Sequence, residues 1–276
     1  MQYTKLKDRL IINDLSQFNV QQIFDCGQIF RYVINKDKAV VISKDKKAEL
    51  FTYPDRVEII TSDLDYFENF FDLVRDYNAI KKVLSKDEFL SPCVKFGYGI
   101  RILNQNLFEM IVSFIISANN NIKRIKNSLN YLSEHFGTNK GDYYAFPTLN
   151  QLKLASVDDY TRAGLGYRAE YMYDTIQKLT LEQLNDFKNL TNEEQYKFLI
   201  SLKGVGEKVA HCILLFAMHN TQVFPVDTWI NKVYNDLTNT TTTNRKEISK
   251  DLTNRYKDLS GYAQQYFFYY YRELKK

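Results

Sequence analysis

Ser201–Leu237 reads SLKGVGEKVAHCILLFAMHNTQVFPVDTWINKVYNDL, and its punctuation decides the fold. Upstream, Thr191 to Leu202 carries Tyr196, Leu199 and Ile200 at helical spacing, and Thr191 with Glu194 forms a capping-box pattern. Gly204 is expected to stop that helix at its C′ position, because glycine takes positive φ at little cost. Gly206 then admits a second helix with Val209, Ile213, Phe216 and Ala217 on its core face. Two helices joined so tightly make a hairpin whose second helix presents unpaired N–H groups. With no side chain in the way at Gly204 and Gly206, that end can hold a phosphate. A plain packing corner explains the glycine pair equally well when it is taken alone.

Lys208 and Asp227 add chemistry. Lys208 lies one helical turn before Cys212, so the two side chains share a face. An amine against an apolar wall loses hydration, which favours the neutral, nucleophilic form. Asp227 precedes Thr228 and Trp229 at the start of an apolar helix, where it reads as an N-cap.

The rest of the chain sets limits. Its 276 residues carry a formal net charge of +4, which permits nucleic-acid contact without requiring it. The three cysteines, Cys26, Cys93 and Cys212, are too few and too scattered for a disulfide framework, and they cannot supply a four-cysteine iron–sulfur site. His135, His211 and His219 show no metal-ligand spacing. No apolar run reaches membrane-spanning length and MQYTKLKDRL lacks a signal-peptide core, so a soluble intracellular protein is expected.

An α+β architecture is expected: residues 1–95 as a small antiparallel sheet with covering helices, and residues 96–276 as an all-helical domain. Strands are predicted at Ile29–Ile34, Ala39–Ser43, Ala48–Tyr53 and Arg56–Thr61 as a meander, followed by sheet-covering helices at Leu64–Leu73 and Tyr77–Leu84. Beyond Gly97 the period becomes helical around Phe108–Ile115 and Ile122–Leu132. Further helices are predicted at Arg168–Leu179, Thr191–Leu202, Glu207–His219, Thr228–Leu237, Arg245–Tyr256 and Tyr262–Lys275. Asn119-Asn120-Asn121 breaks one helix and caps the next, and also gathers donors able to read base edges. Tyr167 and Arg168 read either as a helix start with a surface arginine or as a wedge for the gap left by an extruded base.

Taken together, hairpin, lysine and Pro-Val-Asp resemble the helix-hairpin-helix, Gly/Pro-Asp superfamily of base-excision glycosylases. Cys26-Gly27-Gln28-Ile29-Phe30-Arg31, Phe114–Arg124, Leu165–Tyr171, GVGEKVAHC, PVD and GYAQQYFF resemble its 8-oxoguanine branch, in order, from residue 26 to residue 268. The resemblance implies removal of 8-oxoguanine opposite cytosine from duplex DNA, with β-elimination at the abasic site, by a monomer. Lys208 would be the Schiff-base nucleophile and Asp227 the stabiliser of an oxocarbenium-like sugar. Gly27 would accept the N7–H of the oxidised base, with Gln264, Phe268, Cys212, Phe216 and Pro225 completing the pocket. Asn119, Arg124 and Arg168 would contact the orphaned cytosine, Tyr167 would be the wedge, and Gly204, Gly206, Val209 and Trp229 would meet phosphate.

No cofactor is implied, beyond a monovalent or divalent cation held by the main-chain carbonyls of Leu199, Leu202 and Val205. Trp229 and Tyr271 depart from the family, whose eukaryotic members carry a histidine and an acidic residue there; Phe216 replaces a more flexible neighbour of the base. The expected setting is a bacterial or archaeal cytoplasm, at the nucleoid. The competing readings are a monofunctional alkyl-base glycosylase, which uses water and would cleave no strand, and a non-catalytic hairpin module, which would bind without turnover.

Overall fold

The computed structural model describes residues 1–274. Six strands form one antiparallel sheet: β1 (Tyr3–Lys5), β2 (Arg9–Ile12), β3 (Tyr32–Asn35), β4 (Lys38–Ser43), β5 (Lys46–Thr52) and β6 (Val57–Thr61), in the order β1-β2-β6-β5-β4-β3. The last four strands are the expected meander. The N-terminal hairpin β1–β2 extends the sheet by pairing β2 with β6, Leu10 opposite Ile59. This hairpin was not foreseen, because three- and four-residue strands are too short for an alternating pattern to stand out. Ile29, Phe30 and Arg31, predicted as strand, lie outside β3 and belong to the connection before it.

Alternation places Ala39, Val41, Ala48, Leu50, Val57 and Ile59 in one core with Phe67, Phe70 and Phe71. These phenylalanines come from α2 (Leu64–Phe70) and the residue after it. Ahead of β3, α1 (Val20–Asp25), capped by Asn19, contributes Val20, Ile23 and Phe24 to the same core. The other helix expected on the sheet, α3 (Tyr77–Leu84), packs elsewhere: Tyr77 and Leu84 enter the helical core. So do Leu90, Cys93 and Val94 of α4 (Leu90–Phe96), a helix not predicted. Both begin ahead of residue 96, so the second core recruits chain from the N-terminal part.

The remaining helices are α5 (Leu107–Ser117), α6 (Ile122–Phe136), α7 (Leu149–Leu152), α8 (Val157–Arg162), α9 (Arg168–Lys178), α10 (Leu181–Asp186), α11 (Asn192–Ser201), α12 (Glu207–Met218), α13 (Thr228–Thr238), α14 (Arg245–Tyr256) and α15 (Ser260–Leu274). Lys275, included in the last predicted helix, lies outside the described residues. The short α7, α8 and α10 were missed for want of a full apolar period, although each carries a complete capping box.

The two cores are tied by buried polar side chains. Gln28, fully buried, donates to the carbonyls of Ile23 (3.0 Å) and Arg101 (2.7 Å) and accepts from the Leu103 N–H (2.9 Å). Arg101, also fully buried, donates to the carbonyls of Phe71 (2.9 Å) and Gln17 (3.2 Å) and lies 4.0 Å from the Tyr77 ring centre. Buried donors left unpaired are costly, so these bonds fix where the Gly27 turn sits relative to the helical half.

Candidate active site

The hairpin forms as expected, with one shift. α11 begins with the Thr191–Glu194 capping box, and Leu199 packs inside, but Ile200 is 39 % exposed and leaves the predicted stripe. The helix ends on extended Leu202, so positive φ (+84°) falls at Gly204, two residues beyond the cap and not at C′. A methyl group there would stand 3.2 Å from Tyr171. Gly206 is the N-cap of α12 with no side-chain cap, and a methyl group at it would meet open space. The first N–H groups of α12 therefore face the cleft unobstructed, at the positive end of the helix dipole.

That cleft has a volume of about 1050 Å³ and runs between the two halves of the molecule. This exceeds an ordinary small-molecule pocket and leaves room for a nucleobase with part of its backbone. Lys208 and Asp227 both line it, together with Gly204, Gly206, Val209 and Trp229 from the hairpin and its neighbour helix and with Gly27 and Phe268. Asp227 caps α13, accepting from the Ile230 N–H at 2.9 Å. The Lys208 amine stands 5.3 Å from the Phe114 ring centre. Burial pushes the Cys212 thiol up from its ordinary value, opposed by Lys208, which hydrogen-bonds to it, while Asp227 acts in the same direction as burial. One thiol thus feels both the amine and the carboxylate.

Gly27 has φ +80°, and a methyl group on it would come within 2.8 Å of Phe268. Only glycine lets this turn approach the ring so closely. Cys212, Phe216, Pro225 and Gln264 are buried behind the cleft surface; Phe216 stacks on Phe114 at 5.5 Å, and Gln264 accepts from the Gln265 side chain.

At the rim, Asn121 caps α6 and Asn119 adopts φ +49° and lines the cleft. Arg124 is exposed on the first turn of α6, and Tyr167 is 57 % exposed at the start of α9. Arg168 is no surface arginine. It is 8 % exposed and donates to the carbonyls of Ala118 (2.6 Å), Leu165 (3.0 Å) and Asn119 (2.7 Å), fastening the asparagine loop to the Tyr167 turn. A surface assignment fails because its position inside the hairpin of loops depends on tertiary contacts.

Leu199, Leu202 and Val205 are brought together by the hairpin turn; the Leu202 N–H bonds to the Leu199 carbonyl (3.1 Å) and the Val205 N–H to the Leu202 carbonyl (3.2 Å). Each oxygen keeps a second lone pair, and neutral carbonyls at the negative end of α11 suit a cation. Among the described residues no group of three or more His, Cys, Asp or Glu is placed to hold a metal ion.

Phe30 and Phe114, edge-to-face at 5.8 Å, and Arg272 also line the cleft, although no motif gives them a role. Arg272 lies one helical turn beyond Phe268 on a helix otherwise rich in aromatics, a spacing that puts the two on one face without saying that the guanidinium is buried.

A hairpin-borne amine and a helix-capping carboxylate thus share one cleft, in a helical body joined to a small sheet. Residues 112–258 match the family described as HhH-GPD superfamily base excision DNA repair protein, and residues 10–111 match 8-oxoguanine DNA glycosylase, N-terminal domain. The 8-oxoguanine glycosylase/lyase of Clostridium acetobutylicum, solved with double-stranded DNA containing cytosine opposite 8-oxoG, is 39% identical, with TM-score 0.92, covering 100% of this chain and 99% of that one.

Among curated relatives, N-glycosylase/DNA lyase OGG1 of Arabidopsis thaliana is 32% identical over 66% of this chain and 55% of its own length. The N-glycosylase/DNA lyase of Saccharomyces cerevisiae is 36% identical over 49% of this chain and 41% of its own length. The chain thus spans about half the length of the curated relatives it matches first. The chain belongs to the 8-oxoguanine DNA glycosylase family of the HhH-GPD superfamily.

Proposed function

We propose that the protein is a bifunctional DNA glycosylase that releases 8-oxoguanine paired with cytosine from duplex DNA and then cleaves the strand at the abasic site. The observation that carries this reading is the placement of Lys208 and Asp227 in one cleft with Gly27 and Phe268.

Extrusion of the base costs a few kcal/mol and is offset by phosphate contacts at the unobstructed start of α12 and by Tyr167 entering the vacated space. Asn119 and Arg124 meet the widowed cytosine, with Arg168 bracing the loop that carries Asn119. The base lies against Phe268 and is read by Gly27 and Gln264.

As the C1′–N9 bond lengthens, its electron pair leaves with the base, which takes up a proton at N9. Positive charge grows on the sugar, and the Asp227 carboxylate stabilises it. The neutral amine of Lys208 attacks C1′; opening of the C1′–O4′ bond, with protonation of O4′, gives a Schiff base. Loss of a 2′ proton then expels the 3′ phosphate by β-elimination. A cation held by the carbonyls of Leu199, Leu202 and Val205 would add positive charge beside the DNA backbone.

Borohydride reduction during turnover on an 8-oxoguanine:cytosine duplex is expected to trap a covalent protein–DNA adduct, absent in Lys208→Gln. An adduct of undiminished yield in that variant would remove Lys208 from its role.

A further inference from the structure

Arg272 sits on α15 one turn past Phe268, 8 % exposed, and lines the cleft. Most of its guanidinium is committed. Nε and Nη2 donate to the Glu273 carboxylate at 3.2 and 2.9 Å, and Nη2 also donates to the Asp25 carbonyl. Nη1 is buried and has no hydrogen-bond partner. It lies 3.6 Å from where a side chain on Gly27 would begin, and the guanidinium carbon lies 5.1 Å from the centre of the Phe268 ring.

A buried guanidinium edge without an acceptor is unfavourable, and arginine has no way to shed its charge or accept a bond. The bonds to Glu273 and Asp25 hold it in place, so the unpaired edge is preorganised. Backbone turn, aromatic ring and N–H edge converge on one wall of the cleft, which suits a flat ring bearing an acceptor on its rim.

Resting on the function proposed above, we infer that Arg272 is a specificity-determining residue of the base pocket. Its Nη1 donates to a carbonyl oxygen of the extruded purine beside N7. Oxidised guanine carries two such oxygens, O6 and O8, and a charged donor to either makes a strong, directional bond. The residue positions and selects the base; it takes no part in bond breaking.

The test uses single-turnover base release from an 8-oxoguanine:cytosine duplex, with strand cleavage at a preformed abasic site measured beside it. Arg272→Met is expected to slow base release tenfold or more and strand cleavage far less, with Arg272→Lys recovering part of the loss. Substrates bearing sulfur in place of O6 or of O8 separate the two acceptors. At the oxygen that Arg272 contacts, the sulfur analogue slows the wild type and erases the difference between it and Arg272→Met. Equal losses in base release and strand cleavage, an unaltered Arg272→Met, or a deficit that persists on both sulfur analogues would overturn the inference. A wild-type protein that releases no oxidised base would overturn the functional reading and this inference with it.

Discussion

The Lys208 amine lies 5.3 Å from the centre of the Phe114 ring, and Phe114 in turn stacks on Phe216 with centroids 5.5 Å apart. The Lys208 amine is therefore flanked by a buried aromatic pair, one ring from the neighbouring α5 and one from its own helix α12. Phe114→Leu is expected to keep the fold, lower the melting temperature by several degrees and slow borohydride trapping several-fold. Stopped-time trapping assays beside thermal denaturation check this; unaltered trapping with lowered stability would confine Phe114 to packing.

Asp227 caps α13, and on the proposed function it also carries a charge the reaction needs; substitution can separate the two. Asn retains the cap to the Ile230 N–H but not the charge, so Asp227→Asn should keep stability within about 0.5 kcal/mol while base release falls at least ~100-fold. Asp227→Ala should lose the same activity and about 1 kcal/mol of stability as well. Urea unfolding and single-turnover kinetics provide the two readings.

The hairpin glycines should fail differently. Gly204→Ala forces a side chain into φ +84° against Tyr171, costing about 1–2 kcal/mol and visible as a lower unfolding midpoint. Gly206→Ala meets nothing in the fold and has an ordinary φ of −90°, so stability should hold while duplex affinity drops severalfold. Equal affinities for wild type and Gly206→Ala in a salt titration would argue against phosphate binding at this end.

Acid should weaken the fold before the carboxylates titrate. Burial lowers His211 and His219 to about 4, against 6.5 when unfolded. His219 contacts the Tyr262 hydroxyl at 3.0 Å and lies near Asp72, Arg75 and Arg101. A depressed histidine leaves the unfolded chain binding more protons, so stability is full above pH 6.5 and falls as pH drops towards 4. Each site contributes about 1.4 kcal/mol per pH unit within that window. Unfolding free energies at pH 7 and pH 5 should differ by roughly 2 kcal/mol or more, and His219→Gln should flatten the dependence.

Tyr167, largely exposed, is expected to be dispensable for folding but not for extrusion. Tyr167→Ala should match the wild-type melting temperature and release base about tenfold more slowly. Arg168→Ala should lose about 1–3 kcal/mol, because three loop carbonyls lose their donor.

The hairpin and the two caps were legible because their causes are local: glycine at a positive-φ position, a capping box, a carboxylate before an apolar helix. The meander was legible for the same reason. Arg168 and Arg272 were harder, since neither local spacing nor composition says that a guanidinium will be buried and which carbonyls it will meet. The division of the molecule was harder still. Tyr77–Leu84 has a helical pattern that states its apolar face but not which of two cores receives it.

The Gly27 turn and the Lys208 helix are more than 180 positions apart in the chain yet line the same recess. On the proposed function, discernment of the lesion and the blow against it are lodged in separate stretches of polypeptide. A fragment carrying only the second stretch would keep the Lys208 amine with half of its jury missing, so on that reading the seam pinned by Gln28 and Arg101 would guard fidelity as much as it guards shape.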